Sequence, residues 1–234
     1  VYGELVAACR QYGATLVGGH TEVTYGLDRP LFCGTLVGTV ARDGLVTNRG
    51  TEVGDAILVT KGIAVEGTSI LARECRDALL AAGVSADELM AWAGYLHDPG
   101  IGVLAEARAA CGCARVHAMH DPTEGGLATG LWEMALAGGI GLRIDEPAIP
   151  VLDATRRLCG ILDLDPLGLI ASGSLALAVA PEDASRVMAT CRGVGIACTQ
   201  IGTAVPADDG CTLRTATGEV ALPRYDQDEI TRAL

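Results

Sequence analysis

From residue 56 onward the hydrophobic period of the chain switches repeatedly between two and about 3.6, and that alternation limits the folds open to it. The short apolar runs Ala56–Thr60, Ala114–Met119, Ile140–Ile144, Ser174–Ala180 and Ala197–Thr203 read as strands. Between them lie helical stripes. Leu71, Cys75, Ala78, Leu79 and Ala82 share one face, and Gly83 stands where a helix would stop. Asp87–Tyr95, Gly102–Ala110 and Val151–Cys159 read as further helices. Leu127, Leu131, Met134 and Ala135 form the next stripe, ended by Gly138-Gly139. Pro181-Glu182-Asp183 opens the last one, with Ala184, Val187, Met188 and Cys191 inward. Asp208-Asp209-Gly210 reads as a hairpin. Strands alternating with helices in this way predict an α+β fold.

The region before residue 63 reads differently. Leu5, Val6, Cys9 and Tyr12 recur at helical spacing, and a strand at Ala14–Val17 runs into Gly18-Gly19-His20-Thr21. Leu31–Val40 is β-branched and glycine-rich, and Asp43-Gly44 is a hairpin-type turn. Because the chain opens with Val1 inside a helical pattern, residues 1–62 are expected to be the truncated end of an amino-terminal domain. Residues 63–234 are expected to form the carboxyl-terminal domain.

Half of the 234 residues are apolar but only 3% are aromatic, so small aliphatic side chains and glycine must carry the packing. A mean hydropathy of +0.35 leaves apolar surface for a partner subunit. A formal net charge of -12 without a basic run excludes the positive footprint that nucleic acid requires. No apolar stretch reaches the roughly 20 residues of a membrane span, since Ser172-Gly173-Ser174 interrupt Leu167–Val179. There is no charged-then-apolar start, so no signal peptide is expected and the protein should be cytoplasmic. Nine scattered cysteines, an odd count without a CxxC pair, read as core hydrophobes rather than disulfides or a zinc site.

Four segments could carry chemistry. In His120-Asp121-Pro122-Thr123-Glu124-Gly125-Gly126-Leu127 a strand ends, Asp121 projects, Thr123 can cap the next helix, and two glycines keep its amides bare. Such an end suits a phosphate, with a carboxylate beside it for magnesium; it equally suits a plain strand-to-helix turn. Gly18-Gly19-His20-Thr21-Glu22 lets a ligand approach the backbone, or is a tight turn. Lys61 and Glu66, between a strand and a helix, are candidates for substrate contact, with Thr68 or Ser69 as caps; the alternative is a domain linker. His97-Asp98-Pro99-Gly100 lacks the Thr and paired Gly and reads as a turn.

At these residues the chain resembles a known superfamily. Asp121-Pro122-Thr123-Glu124-Gly125-Gly126-Leu127-Ala128-Thr129 is similar to the DPTRGGLAT segment of HypE-type hydrogenase maturation proteins. Gly18-Gly19-His20-Thr21 is similar to the GGxT turn of the wider aminoimidazole-ribonucleotide (AIR) synthase, or PurM, superfamily, which includes thiamine-monophosphate kinase and selenophosphate synthetase. Gly54-Asp55, Leu164-Asp165-Pro166-Leu167 and Ser172-Gly173 follow the same pattern, so the resemblance covers almost the whole chain.

The resemblance implies a PurM-like carboxyl-terminal domain preceded by the last part of a PurM-like amino-terminal domain. It implies homodimers sharing a barrel built around residues 31–60, and ATP with Mg2+ as cofactors. It implies phosphorylation of an amide or carboxamide oxygen on a small-molecule or protein-bound substrate, and a maturation-complex partner; small-molecule kinases and non-catalytic assembly factors are the rival outcomes. Asp121 would hold the metal, and Gly18, Gly19, His20, Thr21, Thr123, Gly125 and Gly126 would contact the nucleotide. His20 stands where several relatives have a carboxylate, although selenophosphate synthetases tolerate histidine there. Glu124 replaces the usual arginine, and no cysteine lies near Leu234, where HypE-type proteins carry the one that takes up the carbamoyl group.

Overall fold

The computed structural model describes residues 2–234; Val1 lies outside the described residues. The chain divides into two compact units, one ending at Ala41 and the other running from Arg42 to Leu234. The first unit holds helix α1 (Tyr2–Gln11) and a segment without regular structure. The strands expected at Ala14–Val17 and Leu31–Val40 are absent. A strand persists only where a neighbour takes its amides and carbonyls, and here Val17, Leu36 and Val37 stand exposed without one. The turn expected at Asp43-Gly44 is a short 3-10 turn, Arg42–Gly44, that joins no hairpin strands.

The second unit is built on a seven-stranded mixed sheet. Its strands are β1 (Ala56–Thr60), β2 (Val116–His120), β3 (Gly141–Asp145), β4 (Ala176–Val179), β5 (Cys198–Val205), β6 (Cys211–Thr215) and β7 (Gly218–Ala221). They lie in the order β2-β4-β1-β5-β3-β6-β7. Only β3 and β6 run parallel; the other neighbours are antiparallel. The sequence boundary at 62/63 separates β1 from this sheet, yet β1 pairs with β4 through Leu58↔Leu177 and with β5 through Val59↔Thr199. Residues 56–60 are therefore taken up by the chain's own sheet rather than by a shared barrel. The hairpin expected at Asp208-Asp209-Gly210 is also different, because β5 and β6 do not pair but flank β3. The true hairpin joins β6 to β7.

The helices follow the sequence stripes closely: α2 (Val65–Glu74), α3 (Arg76–Ala81), α4 (Ala86–Ala93), α5 (Leu104–Cys113), α6 (Gly126–Gly138), α7 (Asp153–Leu162) and α8 (Pro181–Gly193). The single stripe from Leu71 to Ala82 is broken at Cys75, which starts a second short helix.

Alternation along β1 explains the layering. Ile57 and Val59 point into a core with Leu127, Leu131 and Met134 of α6. Ala56 and Leu58 point the other way, onto Ala110 of α5 and Val187 and Cys191 of α8. Strand β1 is thus buried on both faces, and each fully buried Ile, Leu or Val contributes roughly 1.5–3 kcal/mol. A third core, with Leu71, Leu79, Trp92 and Leu158, gathers α2, α3, α4 and α7.

All nine cysteines are unpaired. Burial pushes the thiols of Cys159 and Cys198 up to about 12. At pH 8 only about one such thiol in ten thousand is the reactive thiolate. Iodoacetamide at pH 8 is therefore expected to label exposed Cys33 and Cys111 in the native protein, and Cys159 and Cys198 only after denaturation. Peptide mass mapping with and without denaturant checks this.

Candidate functional site

The motif singled out in the sequence occupies the tip of β2 and the start of α6. Strand β2 ends at His120, and the Asp121 carboxylate projects with its side chain 71% exposed. The His120 ring sits behind it, with Nε2 2.6 Å from Glu133 Oε2 and Nδ1 4.0 Å from Asp121 Oδ1. Pro122 packs on Gly130, one turn into α6, where any added Cβ would come within 2.8 Å of the proline ring. Thr123 is not the helix cap that its position suggested. Its hydroxyl turns back to donate to the Asp121 carbonyl at 3.0 Å, and the N-cap is Gly125.

Two consecutive residues here adopt the left-handed conformation, Gly125 with φ 73° and Gly126 with φ 66°. A Cβ on Gly125 would lie 2.3 Å from Thr129 Oγ1, and one on Gly126 2.3 Å from the Leu167 carbonyl oxygen. No side chain other than hydrogen fits this turn, which accounts for the paired glycine.

The amide of Gly125 is not bare. It donates to Asp228 Oδ2 at 2.7 Å, and the same carboxylate accepts at Oδ1 from the amides of Ile230 (2.8 Å) and Ile170 (3.2 Å). A negative group near the positive end of the helix dipole is favourable, and α6 has no acid of its own in its first turn.

The loop of residues 163–175 carries the Leu164-Asp165-Pro166-Leu167 and Ser172-Gly173 motifs and links two helix starts. Ala171 N–H donates to the Thr123 carbonyl at 3.2 Å, and Ala128 N–H to that of Leu167 at 3.0 Å. At the other helix, the amides of Glu66 and Gly67 donate to the carbonyls of Ser172 and Ile170, each at 3.2 Å. The start of α2 and the start of α6 are thus fastened to one loop.

Lys61 turns out to be the fastening behind that loop rather than a group free to meet a substrate. With φ 56° it turns its side chain inward, 8% exposed. Its Nζ lies 2.8 Å from Glu106 Oε1, 2.6 Å from the Gly102 carbonyl and 3.0 Å from that of Gly173. Glu106 is fully buried, and its Oε2 has no hydrogen-bond partner. Thr68 and Ser69 do not cap α2: they donate to the carbonyls of Ala64 and Ala93, each at 2.7–2.8 Å. His97–Gly100 is a turn, closed by Gly100 N–H on the Tyr95 carbonyl at 3.1 Å.

Gly18, Gly19, His20 and Thr21 belong to the first unit, in the irregular segment after α1; His20 Nε2 lies 3.9 Å from Glu22 Oε2. Asp121, Thr123, Gly125 and Gly126 belong to the second. Among the described residues no group of three or more His, Cys, Asp or Glu side chains is arranged to hold a metal. At this turn Asp121 offers an exposed anionic oxygen, and Glu124 is exposed beside it. That fits magnesium, which keeps several waters and takes one or two carboxylates plus substrate phosphates. Asp55 of the Gly54-Asp55 motif is buried and structural, receiving His117 Nδ1 at 2.9 Å and the Glu52 amide at 2.8 Å. Sequence reasoning missed Asp228 and Glu106, whose partners lie 103 and 45 residues away and leave no local pattern.

Residues 52–212 match the family described as AIR synthase related protein, C-terminal domain, and the chain belongs to that family. It is 35% identical over 191 residues to carbamoyl dehydratase HypE of Cupriavidus necator, covering 81% of this chain and 51% of that one. It is 32% identical over 173 residues to selenide, water dikinase of Nitratidesulfovibrio vulgaris, covering 72% of this chain and 43% of the relative. The chain therefore spans about half the length of these curated relatives. Among solved structures, E. coli HypE superposes with a TM-score of 0.65 at 25% identity, covering 81% of this chain and 56% of that one. HypE in complex with ATP superposes with a TM-score of 0.59 at 26% identity, covering 82% and 56%.

Removing one partner of a buried charge pair leaves the other uncompensated. Lys61→Met is expected to destabilise the protein by about 3–5 kcal/mol, with the double variant Lys61→Met/Glu106→Leu recovering most of the loss. Urea unfolding of the three variants and the parent checks the cycle.

Proposed function

We propose that the protein is an ATP-dependent enzyme of the AIR synthase/HypE type, related to hydrogenase maturation factors, that activates an amide or carboxamide oxygen by phosphorylation. The observation that carries this reading is the exposed Asp121 carboxylate beside a glycine-paired helix start, in a chain 35% identical to a carbamoyl dehydratase. In such a reaction the carboxamide oxygen attacks the γ-phosphorus of ATP, ADP leaves, and one N–H proton is lost. Departure of the phosphate with the second N–H proton then converts the carboxamide carbon to a nitrile. ATP use is supported by the related HypE bound to ATP.

On the resemblance, Asp121 takes the magnesium-ligand role and Thr123, Gly125 and Gly126 are the nucleotide contacts of the second unit; Gly18, Gly19, His20 and Thr21 are the nucleotide-binding residues proposed for the first. Mg2+ supplies charge neutralisation at the phosphates when bound. Within this chain, the Thr123 hydroxyl closes on the Asp121 carbonyl, and the paired glycines shape the turn that leads into α6. A second reading, a small-molecule kinase, is favoured by the likeness to selenide, water dikinase. It differs in its product: phosphate stays on the acceptor.

Residues 1–41 are proposed to close a PurM-like amino-terminal domain and residues 42–234, which include β1, to form the carboxyl-terminal one. Leu36 and Val37 are more than four-fifths exposed in the first unit, and a second copy of the chain is proposed to cover them in a homodimer. The related maturation factors support a protein partner as well. A cytoplasmic setting fits nine unpaired cysteines and, among the described residues, no helix long and apolar enough to cross a membrane.

Asp121→Asn keeps the side chain's shape but removes an anionic oxygen. Affinity for Mg-ATP is expected to fall at least about tenfold, roughly 1.4 kcal/mol, with the melting temperature nearly unchanged. Titration calorimetry beside a melting curve tests this; full affinity in the variant would sink the reading. Light scattering well above micromolar concentration is expected to show a dimer, and a monodisperse monomer would count against that part.

A further inference from the structure

The Asp121–Gly125 loop is short of internal support. Pro122 has no amide hydrogen, the Thr123 hydroxyl bonds only the Asp121 carbonyl, and Gly125 and Gly126 occupy a left-handed turn that glycine leaves readily. Apart from the packing of Pro122 on Gly130, the turn bond from Gly126 N–H to the Thr123 carbonyl and the helix bond from Thr129 N–H to the Gly125 carbonyl, two tethers fix it from outside. One is Asp228 Oδ2 on the Gly125 amide at 2.7 Å. The other is the Ala171 amide on the Thr123 carbonyl at 3.2 Å, and the residue before it, Ile170, is itself held by Asp228 Oδ1 at 3.2 Å. Both tethers therefore converge on one carboxylate.

That carboxylate is itself well placed. Its segment is strapped across the unit by Trp132 Nε1, which donates to the carbonyls of Leu222 and Pro223 at 3.2 Å. The Arg224 guanidinium lies over the Trp132 ring, 3.9 Å from its centroid. The Tyr225 hydroxyl donates to Asp165 Oδ2 at 2.5 Å, and Glu229 Oε2 accepts from the Asp165 amide at 2.9 Å. The strap is thus bound at Leu222–Pro223, Arg224, Tyr225 and Glu229 besides Asp228.

We infer that Asp228 is a positioning residue: it holds the Asp121 loop and the Ile170 loop in one geometry and so sets the aim of the Asp121 carboxylate. This deepens the functional reading above and rests on it. The two oxygens divide the work, Oδ2 serving Gly125 and Oδ1 serving Ile170 and Ile230. Asn at this position can satisfy only one side. With its oxygen on Ile170 and Ile230 it keeps the strap capped and sets an NH2 group against the Gly125 N–H. Asp228→Asn therefore cuts the contact to the site while sparing the strap.

The test uses the full chain. In Asp228→Asn, hydrogen exchange at the Gly125 amide is expected to quicken at least tenfold, while the Ile230 amide and Trp132 emission, read in a Trp92→Phe background, stay as in the parent. The dissociation constant for Mg-ATP is expected to rise at least tenfold. Asp228→Ala, which releases Ile170 and Ile230 too, is expected to lower the melting temperature and shift Trp132 emission as well. Unchanged exchange at Gly125 in Asp228→Asn would overturn the inference without reference to nucleotide. A loosened loop with equal Mg-ATP affinity would overturn it by showing a cap with no bearing on the site. Tighter Mg-ATP binding would overturn it by showing that the carboxylate competes with phosphate. A parent protein that binds no Mg-ATP would bring down the functional reading instead, and the exchange measurement would still judge the Asp228 contact.

Discussion

An ammonium group almost stripped of water holds the larger unit together at its most irregular place. Lys61 is paired with Glu106 and two backbone carbonyls, and those carbonyls belong to Gly102 and Gly173, in loops far apart in sequence. A buried ion pair gives little net stability, because desolvation offsets the attraction. Its value lies in direction: the charges accept very few arrangements of their surroundings. The left-handed backbone at Lys61 fits that view, since an unusual conformation persists only where neighbours over-determine it.

From this point the order of the unit can be followed outward. Gly173 is fixed by Lys61, Ser174 donates its hydroxyl to the Gly62 carbonyl, and the loop before them receives the first amides of α2. The same loop touches Thr123 and Leu127's neighbour Ala128 at the start of α6. Two helices that would otherwise be related only through the sheet are thereby set against each other by hydrogen bonds. Strand β1, buried on both faces, supplies the rigid base from which Lys61 departs.

Much of this second unit is legible in the sequence, and the reason is period. Every strand of the sheet except the closing β6–β7 hairpin was marked by an apolar run, and the helices by stripes, because burial on a regular element leaves a regular trace. What escaped was pairing. Nothing local tells β5 and β6 to flank β3, and a strand-like run such as Leu31–Val40 carries no sign of whether a neighbour exists. The site divides along the same line. Asp121 and the paired glycines form a contiguous pattern and are found where a strand meets a helix. Thr123, read as a cap, is displaced from that role by the left-handed glycine that caps instead. Lys61, read as a substrate contact, is claimed by Glu106, and Asp228 gives no hint in the sequence that Gly125 is its partner.

The sheet order has a consequence for how the chain is made. Strand β1, buried along its whole length, has as partners β4 and β5, and roughly 115 residues separate it from the nearer of them. At the usual pace of translation, a ribosome would extend the chain for roughly 6–25 s before β4 emerged. Throughout that interval Ala-Ile-Leu-Val-Thr would be an apolar strand with both edges open. Synthesis of this unit is therefore a race between its own later strands and any other edge in reach, and a cell producing it has reason to keep a chaperone near the exit tunnel.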